Sequence, residues 1–143
     1  MTAIPMADKE YEERFEQLRH DLPLFNSVES IYVSGPYSSD SETMRLENIR
    51  LADETGREIA RRGFIPFVPH LMPGAWDSDE VLTWDDCMAI DLYFLRKCDA
   101  ILLLPGWQAS KGAKIEHQEA ERRGILILES IDQVPDRRRQ HFE

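Results

Sequence analysis

A run of five apolar residues, Ala100-Ile-Leu-Leu-Leu104, constrains this chain more than any other stretch. It lacks polar alternation, so it suits a strand covered on both faces, as in a parallel sheet between helical layers. Pro105-Gly106 ends it, and a helix restarts near Ser110, expected over Lys111 to Arg123. On that helix Ala113, Glu116 and Ala120 share one face at i, i+3 and i+7 spacing. The small apolar members mark the side that packs on the sheet, while Lys114, Gln118, Glu119, Glu121 and Arg122 project elsewhere. Glu116 is then an inward carboxylate, which is costly unless it is paired or used. Amides at the helix start, with Gly112 allowing close approach, can also hold an anion.

Strand and helix signals alternate through the rest of the chain. Ser30–Val33 reads as a first strand broken by Gly35-Pro36, and Ser38, Ser39, Asp40 and Ser41 offer helix N-caps. The following helix is expected to run to about Arg62, with Ile49, Ala52, Gly56, Ile59 and Ala60 inward and Gly63 ending it. Phe64–Val68 is a second strand, with Pro66 pointing to an edge position. Pro69-His70-Leu71-Met72-Pro73 leaves it as a stiff loop, and Gly74–Asp79 is loop as well. Thr83–Lys97 is a helix in which Trp84, Met88, Asp91 and Leu95 form one stripe, flanked by Cys87, Leu92 and Cys98. Asp91 therefore sits mid-stripe on an apolar face. Gly124 ends the Glu116 helix, Ile125–Leu128 is a fourth strand, and Ser130–Pro135 is a last short element.

This pattern predicts an α/β fold, a three-layer sandwich with a parallel sheet of four or five strands. Residues 1–29 are expected to be an N-terminal amphipathic helix and connector. There Tyr11, Phe15, Leu18 and Leu22 form a packing stripe. Residues 30–135 form the single domain, and 136–143, with Arg137, Arg138 and Arg139 together, reads as a solvated tail.

Charge and composition narrow the function. A net charge of −10 argues against polymeric nucleic acid as a partner, although a local nest of backbone amides can still seat a small anion. No apolar run approaches the roughly 20 residues of a membrane span. Met1–Asp8 has no basic segment followed by an apolar core, so the expected compartment is the cytoplasm. Cys87 and Cys98 form no CxxC motif, and His20, His70, His117 and His141 are scattered, so no metal site is expected. Nor is a cofactor: GxSxG, GxxxxGK[ST] and an intact GxGxxG are all missing.

In open α/β sheets ligands bind beyond the carboxyl ends of the strands. The turns Gly35-Pro36-Tyr37, Pro69-His70 and Pro105–Gly112 all lie at that end. Ser34, Gly35, Pro36, Tyr37, Ser38, His70, Gly106, Ser110 and Gly112 are therefore the candidate ligand contacts. Two inward carboxylates near an anion-ready helix start suit chemistry at an anomeric carbon. One would attack or stabilise a positively charged sugar, and the other would position or transfer a proton. Ser110 reads either as a helix cap or as part of a phosphate seat.

Three stretches carry a family resemblance: Tyr32-Val-Ser-Gly-Pro36, Asp91-Leu-Tyr-Phe-Leu-Arg-Lys-Cys-Asp99 and Pro105-Gly-Trp-Gln-Ala-Ser-Lys-Gly-Ala-Lys-Ile-Glu116. Together they resemble the nucleoside 2-deoxyribosyltransferase superfamily, and within it the small phage and bacterial branch called the DUF4406 group. The likeness spans about residues 30 to 130. It implies a flavodoxin-like (Rossmann-like) sheet, a nucleophilic glutamate at Glu116, an aspartate at Asp91 that contacts the sugar or assists proton transfer, and Tyr32 near the reacting sugar. In the related 2′-deoxynucleoside 5′-phosphate N-hydrolases the SxG turn binds the 5′-phosphate, which here is Ser110 and Gly112. The expected function is cleavage or transfer of the N-glycosidic bond of a nucleoside or nucleoside 5′-monophosphate. The alternative is a catalytically silent nucleotide-binding or sensing module. Oligomeric relatives imply a homo-oligomer, dimer or tetramer, with Ile90, Tyr93 and Ile115 at the subunit interface.

Overall fold

A computed structural model describes Phe25, residues 27–72 and residues 81–138. The expected N-terminal helix with its Tyr11–Leu22 stripe, His20, the Gly74–Asp79 loop and His141 lie outside the described residues. Four strands, β1 (Ser30–Ser34), β2 (Ile65–Phe67), β3 (Ala100–Leu103) and β4 (Leu126–Leu128), form one sheet in the order β2-β1-β3-β4. Every pairing is parallel, with Tyr32 opposite Phe67 on one side and Ile101 on the other. This order is the start of the flavodoxin-like series. β2 lies at the edge, where Pro66 removes no ladder bond the sheet interior needs. The fifth strand allowed for does not form among the described residues; Ile131–Gln133 makes a single 3-10 turn instead.

Strand alternation sorts the core into two layers. Ile31, Val33, Ala100 and Leu102 face one way, against Ala52 and Ile59 of helix α1 (Glu42–Arg61). Tyr32, Ile101 and Leu103 face the other, against Leu95 of helix α2 (Trp84–Leu95) and Ala120 of helix α3 (Lys111–Arg123). The result is a three-layer α/β sandwich. β3 is buried along its whole length, as a run without alternation requires.

Each helix begins on a side-chain cap. Ser41 accepts from the Met44 amide, Thr83 and Asp86 form a reciprocal capping box, and Ser110 accepts from the Ala113 amide. α2 starts and stops slightly inside its expected range, because Thr83 is the cap and Arg96 the exit. On α1, Ala52, Gly56 and Ile59 are buried and Ile49 half-buried, but Ala60 is exposed; one position past Ile59 the helix has already turned outward.

Two charged residues depart from expectation. Glu119 is buried, not outward, because three guanidinium groups meet its carboxylate: Arg96 at 2.7 Å, Arg122 at 2.6 Å and Arg123 at 2.6 Å. They hold its carboxyl down to about 2. Arg137 is not solvated. It lies 3.8 Å from the Phe64 ring centroid and donates to the carbonyls of Val28 and Gly63, so the chain past β4 is tied back across α1's end.

Gly56 brings α1 close to the residue that follows β2: a Cβ there would lie 2.5 Å from Val68 Cγ2. Alanine is the better helix former by about 1 kcal/mol, yet Val68 is β-branched and cannot swing away. Gly56→Ala is therefore expected to destabilise by about 1–3 kcal/mol, the usual cost of overpacking. The same change in a Val68→Ala background should cost less. Chemical denaturation of the four proteins checks this; additive losses would place the strain elsewhere.

Candidate active site

β1 delivers two hydroxyls to one place. Tyr32 and Ser34 are two residues apart, so both side chains leave the same face of the sheet, and both are fully buried. Glu116 comes down on that face from α3, only 5% exposed. Tyr32 Oη donates to Glu116 Oε2 at 2.5 Å, and Ser34 Oγ donates to Glu116 Oε1 at 2.6 Å. Each carboxylate oxygen thus has a short hydrogen bond, and the head group is fixed in one orientation.

Burial nevertheless dominates its electrostatics. Loss of water pushes the Glu116 carboxyl up to about 7; the Ser34 and Tyr32 hydroxyls pull it back in part, and the Asp91 charge adds to the rise. Asp91 is half-buried on α2 and is itself pushed up to about 6 by desolvation. Burial, then the Glu116 and Asp91 charges, raises the Tyr32 phenol well above its ordinary range, so it stays a donor at every working pH.

Both carboxyls line a cavity of about 470 Å³ at the carboxyl ends of the strands, a size that suits a small organic ligand. Gly35, Tyr37, Ser38 and His70 line it from the turns after β1 and β2. Ser110 and Gly112 line it from the start of α3. Tyr32 and Ser34 are not on the wall; they stand behind Glu116 and act on it. Pro36 contributes its carbonyl to His70, at 3.0 Å from Nε2. Gly106 is also off the wall, and its φ of 86° makes the left-handed turn that leads from β3 toward Ser110.

Some residues at the site have another expected role or none. Trp84, read as a core stripe residue, is 45% exposed and lines the cavity, with Lys111 Nζ 4.5 Å from its ring centroid. Ile90, expected at a subunit interface, also lines the cavity, while Tyr93 is exposed and Ile115 half-buried. Ser110 is a helix cap, as one of its two readings has it, and reaches the cavity as well. Among the described residues no group of three His, Cys, Asp or Glu side chains is placed to hold a metal ion.

The folded-state value of Glu116 lies above its ordinary 4.5, so its carboxyl favours the folded protein fully below about 4.5 and loses that contribution as pH rises through about 7. Glu116→Gln removes the ionisation and keeps the shape. Its melting temperature relative to wild type is expected to rise between pH 5 and pH 8, by an amount equivalent to about 3 kcal/mol at most. A thermal-melt series across that range measures it; a constant offset would mean that Glu116 is charged throughout.

Comparison with known proteins places the chain. No curated protein matches it. Among solved structures, the solution structure of BlsM is similar at 24% identity and a TM-score of 0.47, over 68% of this chain and 61% of that one. The chain thus spans about three-fifths of that relative's length. Residues 29–129 match the family described as Domain of unknown function (DUF4406), a stretch that holds the whole sheet and both carboxyls, and the chain belongs to that family.

Proposed function

We propose that this protein cleaves or transfers the N-glycosidic bond of a nucleoside or nucleoside 5′-monophosphate, with Glu116 as the nucleophile. One observation carries the reading: a buried glutamate, its two oxygens held by Tyr32 and Ser34, forms the wall of a ligand-sized cavity that Asp91 shares. The resemblance of the Asp91–Asp99 and Pro105–Glu116 stretches to the nucleoside 2-deoxyribosyltransferase superfamily points the same way.

The chemistry follows from those groups. A carboxylate oxygen of Glu116 attacks the anomeric carbon as the carbon–nitrogen bond breaks, and the base departs with the bonding pair. Asp91, whose carboxyl is pushed up to about 6, is suited to hand the leaving base a proton. Water, or a second base, then attacks the same carbon and gives its proton to Asp91, and the Glu116 carboxylate is released. Tyr32 and Ser34 prevent the nucleophile from rotating, so little orientation remains to be found when substrate arrives.

The start of α3 supports a phosphate at the far end of the substrate. Ser110 occupies the Ala113 amide, and the Lys114 amide bonds to the Ser110 carbonyl, which leaves the Lys111 and Gly112 amides for a ligand. Packing does not demand glycine at 112, since a Cβ there would stand 3.4 Å from Met88 Sδ, in ordinary contact.

Incubation with nucleosides and their 5′-monophosphates, with chromatography of free base, tests the proposal. Wild type is expected to release base from at least one, and Glu116→Ala to lose at least 10³-fold in rate, on the order seen when a nucleophile is removed. Nucleotide binding without base release from any of them would make the protein a silent binding module. The pH profile gives an independent check. Glu116 must be ionised and Asp91 protonated at once, so kcat/KM should be bell-shaped, falling as pH drops below about 6 and again as it rises above about 7. Asp91→Asn cannot supply the proton, so in the activity that remains the fall above about 7 should disappear. An alkaline fall that persists would assign the proton donor to another group.

A further inference from the structure

The reaction proposed above needs Asp91 and Glu116 at a fixed spacing, yet they stand on different helices. The contacts between those helices rise along both together. Trp84 meets Lys111, whose Nζ is 4.5 Å from the ring centroid, Met88 packs on Gly112, and Arg96 binds Glu119. α2 and α3 therefore run parallel, and the two carboxyls lie between the Met88 and Arg96 contacts. Much of what holds α2 is apolar: Leu95 sits in the core, and the Phe94 ring stacks on Phe67 at 4.7 Å. Such contacts are non-directional and tolerate a sideways slip. Arg96 differs. Its Nε donates to Glu119 Oε2 at 2.7 Å, a charge-assisted bond that fixes direction as well as distance.

Burial of Glu119 does not require that bond. Arg122 donates to Oε1 at 2.6 Å and Arg123 to Oε2 at 2.6 Å, both from α3 itself, so each oxygen has a partner without α2. Arg96 is the member of the three that crosses between helices, from the position that ends α2. The groups that face Glu116 are Tyr32 and Ser34 from β1 and Asp91 from α2. The two hydroxyls fix the nucleophile. Burial alone acts on Asp91, with no hydrogen bond to its carboxyl among the described residues, so its place follows that of α2. We propose that Arg96 is a positioning residue: through Glu119 it fixes α2 against α3 and so sets the spacing of Asp91 and Glu116 on which proton transfer to the leaving base depends. This rests on the glycosidic reading of the site and adds to it a residue outside the cavity.

Arg96→Met keeps an aliphatic stem and removes the crossing bond, while Glu119 stays paired with Arg122 and Arg123. Its kcat for base release is expected to fall about ten- to a hundredfold with KM near the wild-type value, the scale of a misplacement of about 1 Å. Arg96→Lys, which returns a cation to the position, should recover part of the loss. Arg123→Met breaks a bond to the same oxygen from within α3 and should leave kcat at the wild-type value. A second measurement needs no turnover. A looser α2 admits water to Glu116 and moves the Asp91 charge away, and both changes lower the Glu116 carboxyl. Its ¹³C resonance should therefore titrate below the wild-type midpoint in Arg96→Met and at that midpoint in Arg123→Met. Should Arg96→Met not fold, Arg96→Gln takes its place in both measurements. A wild-type midpoint in the Arg96 variant, or equal changes in the Arg96 and Arg123 variants, overturns the proposal. If wild type releases base from no nucleotide, the glycosidic reading fails, and the carboxyl midpoints alone decide whether Arg96 sets the spacing.

Discussion

Glu116 can sit where it does only because β1 supplies two hydroxyls from one face. An ionised carboxylate stripped of water is among the most expensive groups a fold can hold. Tyr32 and Ser34 give each of its oxygens a short donor, and both are themselves sealed in the core, so water cannot replace them. The compensation is incomplete: the carboxyl still rises to about 7. A group retained at such a cost, at the wall of a cavity and not inside the packing, is what the proposed reaction requires of its nucleophile.

One turn further along α3 the same residue type meets the opposite treatment. Glu119 is nearly as buried as Glu116, yet three arginines hold its carboxyl down to about 2. Two of them come from α3 itself, and the third, Arg96, follows the last turn of α2. The ion pair therefore ties together the two helices that carry Asp91 and Glu116. Hydroxyl donors leave a carboxyl able to change its protonation within the physiological range, whereas guanidinium donors remove that freedom. The first glutamate is suited to react and the second to hold the first in register.

Much of this is legible in the sequence because it is periodic. The unbroken apolar run of β3 announces a strand covered on both sides, and the spacing of Ala113, Glu116 and Ala120 turns one glutamate inward. Asp91 is marked in the same way by the Trp84–Leu95 stripe. The misread residues depend on partners far along the chain. Glu119 lies only three positions from Glu116, but its burial depends on Arg96, 23 residues earlier. Arg137 looks like part of a basic tail until Phe64 and the Val28 carbonyl, 109 residues away, are brought beneath it. Ser34 is named by its position in a turn and serves instead from behind the site. Its relation to Tyr32 follows from strand alternation, but the carboxylate they share, 82 and 84 residues on, does not. Ser130–Pro135 shows a further limit: its apolar residues cap the core from a 3-10 turn, so burial there needs no strand.

An anionic ligand is compatible with a chain of net charge −10 because the excess charge and the cavity act over different distances. Much of the acid described on α1 is matched at i, i+3 or i+4 spacing, Glu42 by Arg45, Asp53 by Arg57 and Glu58 by Arg61 and Arg62. Beyond roughly 8–10 Å at physiological salt, the remaining surface charge is largely screened. At the cavity the nearer groups decide. Lys111 stands against the Trp84 ring at the helix start, and the α3 dipole presents its positive end to the same space. The acidic surface thus slows the approach of an anion without setting its affinity. Inside, the order of opposition is reversed. The group that most resists an arriving phosphate is a charged Asp91 or Glu116, and with carboxyls pushed to about 6 and about 7 these are partly neutral when the ligand enters. In the proposed reaction, the desolvation that favours proton transfer also lowers the repulsion an anionic substrate would meet.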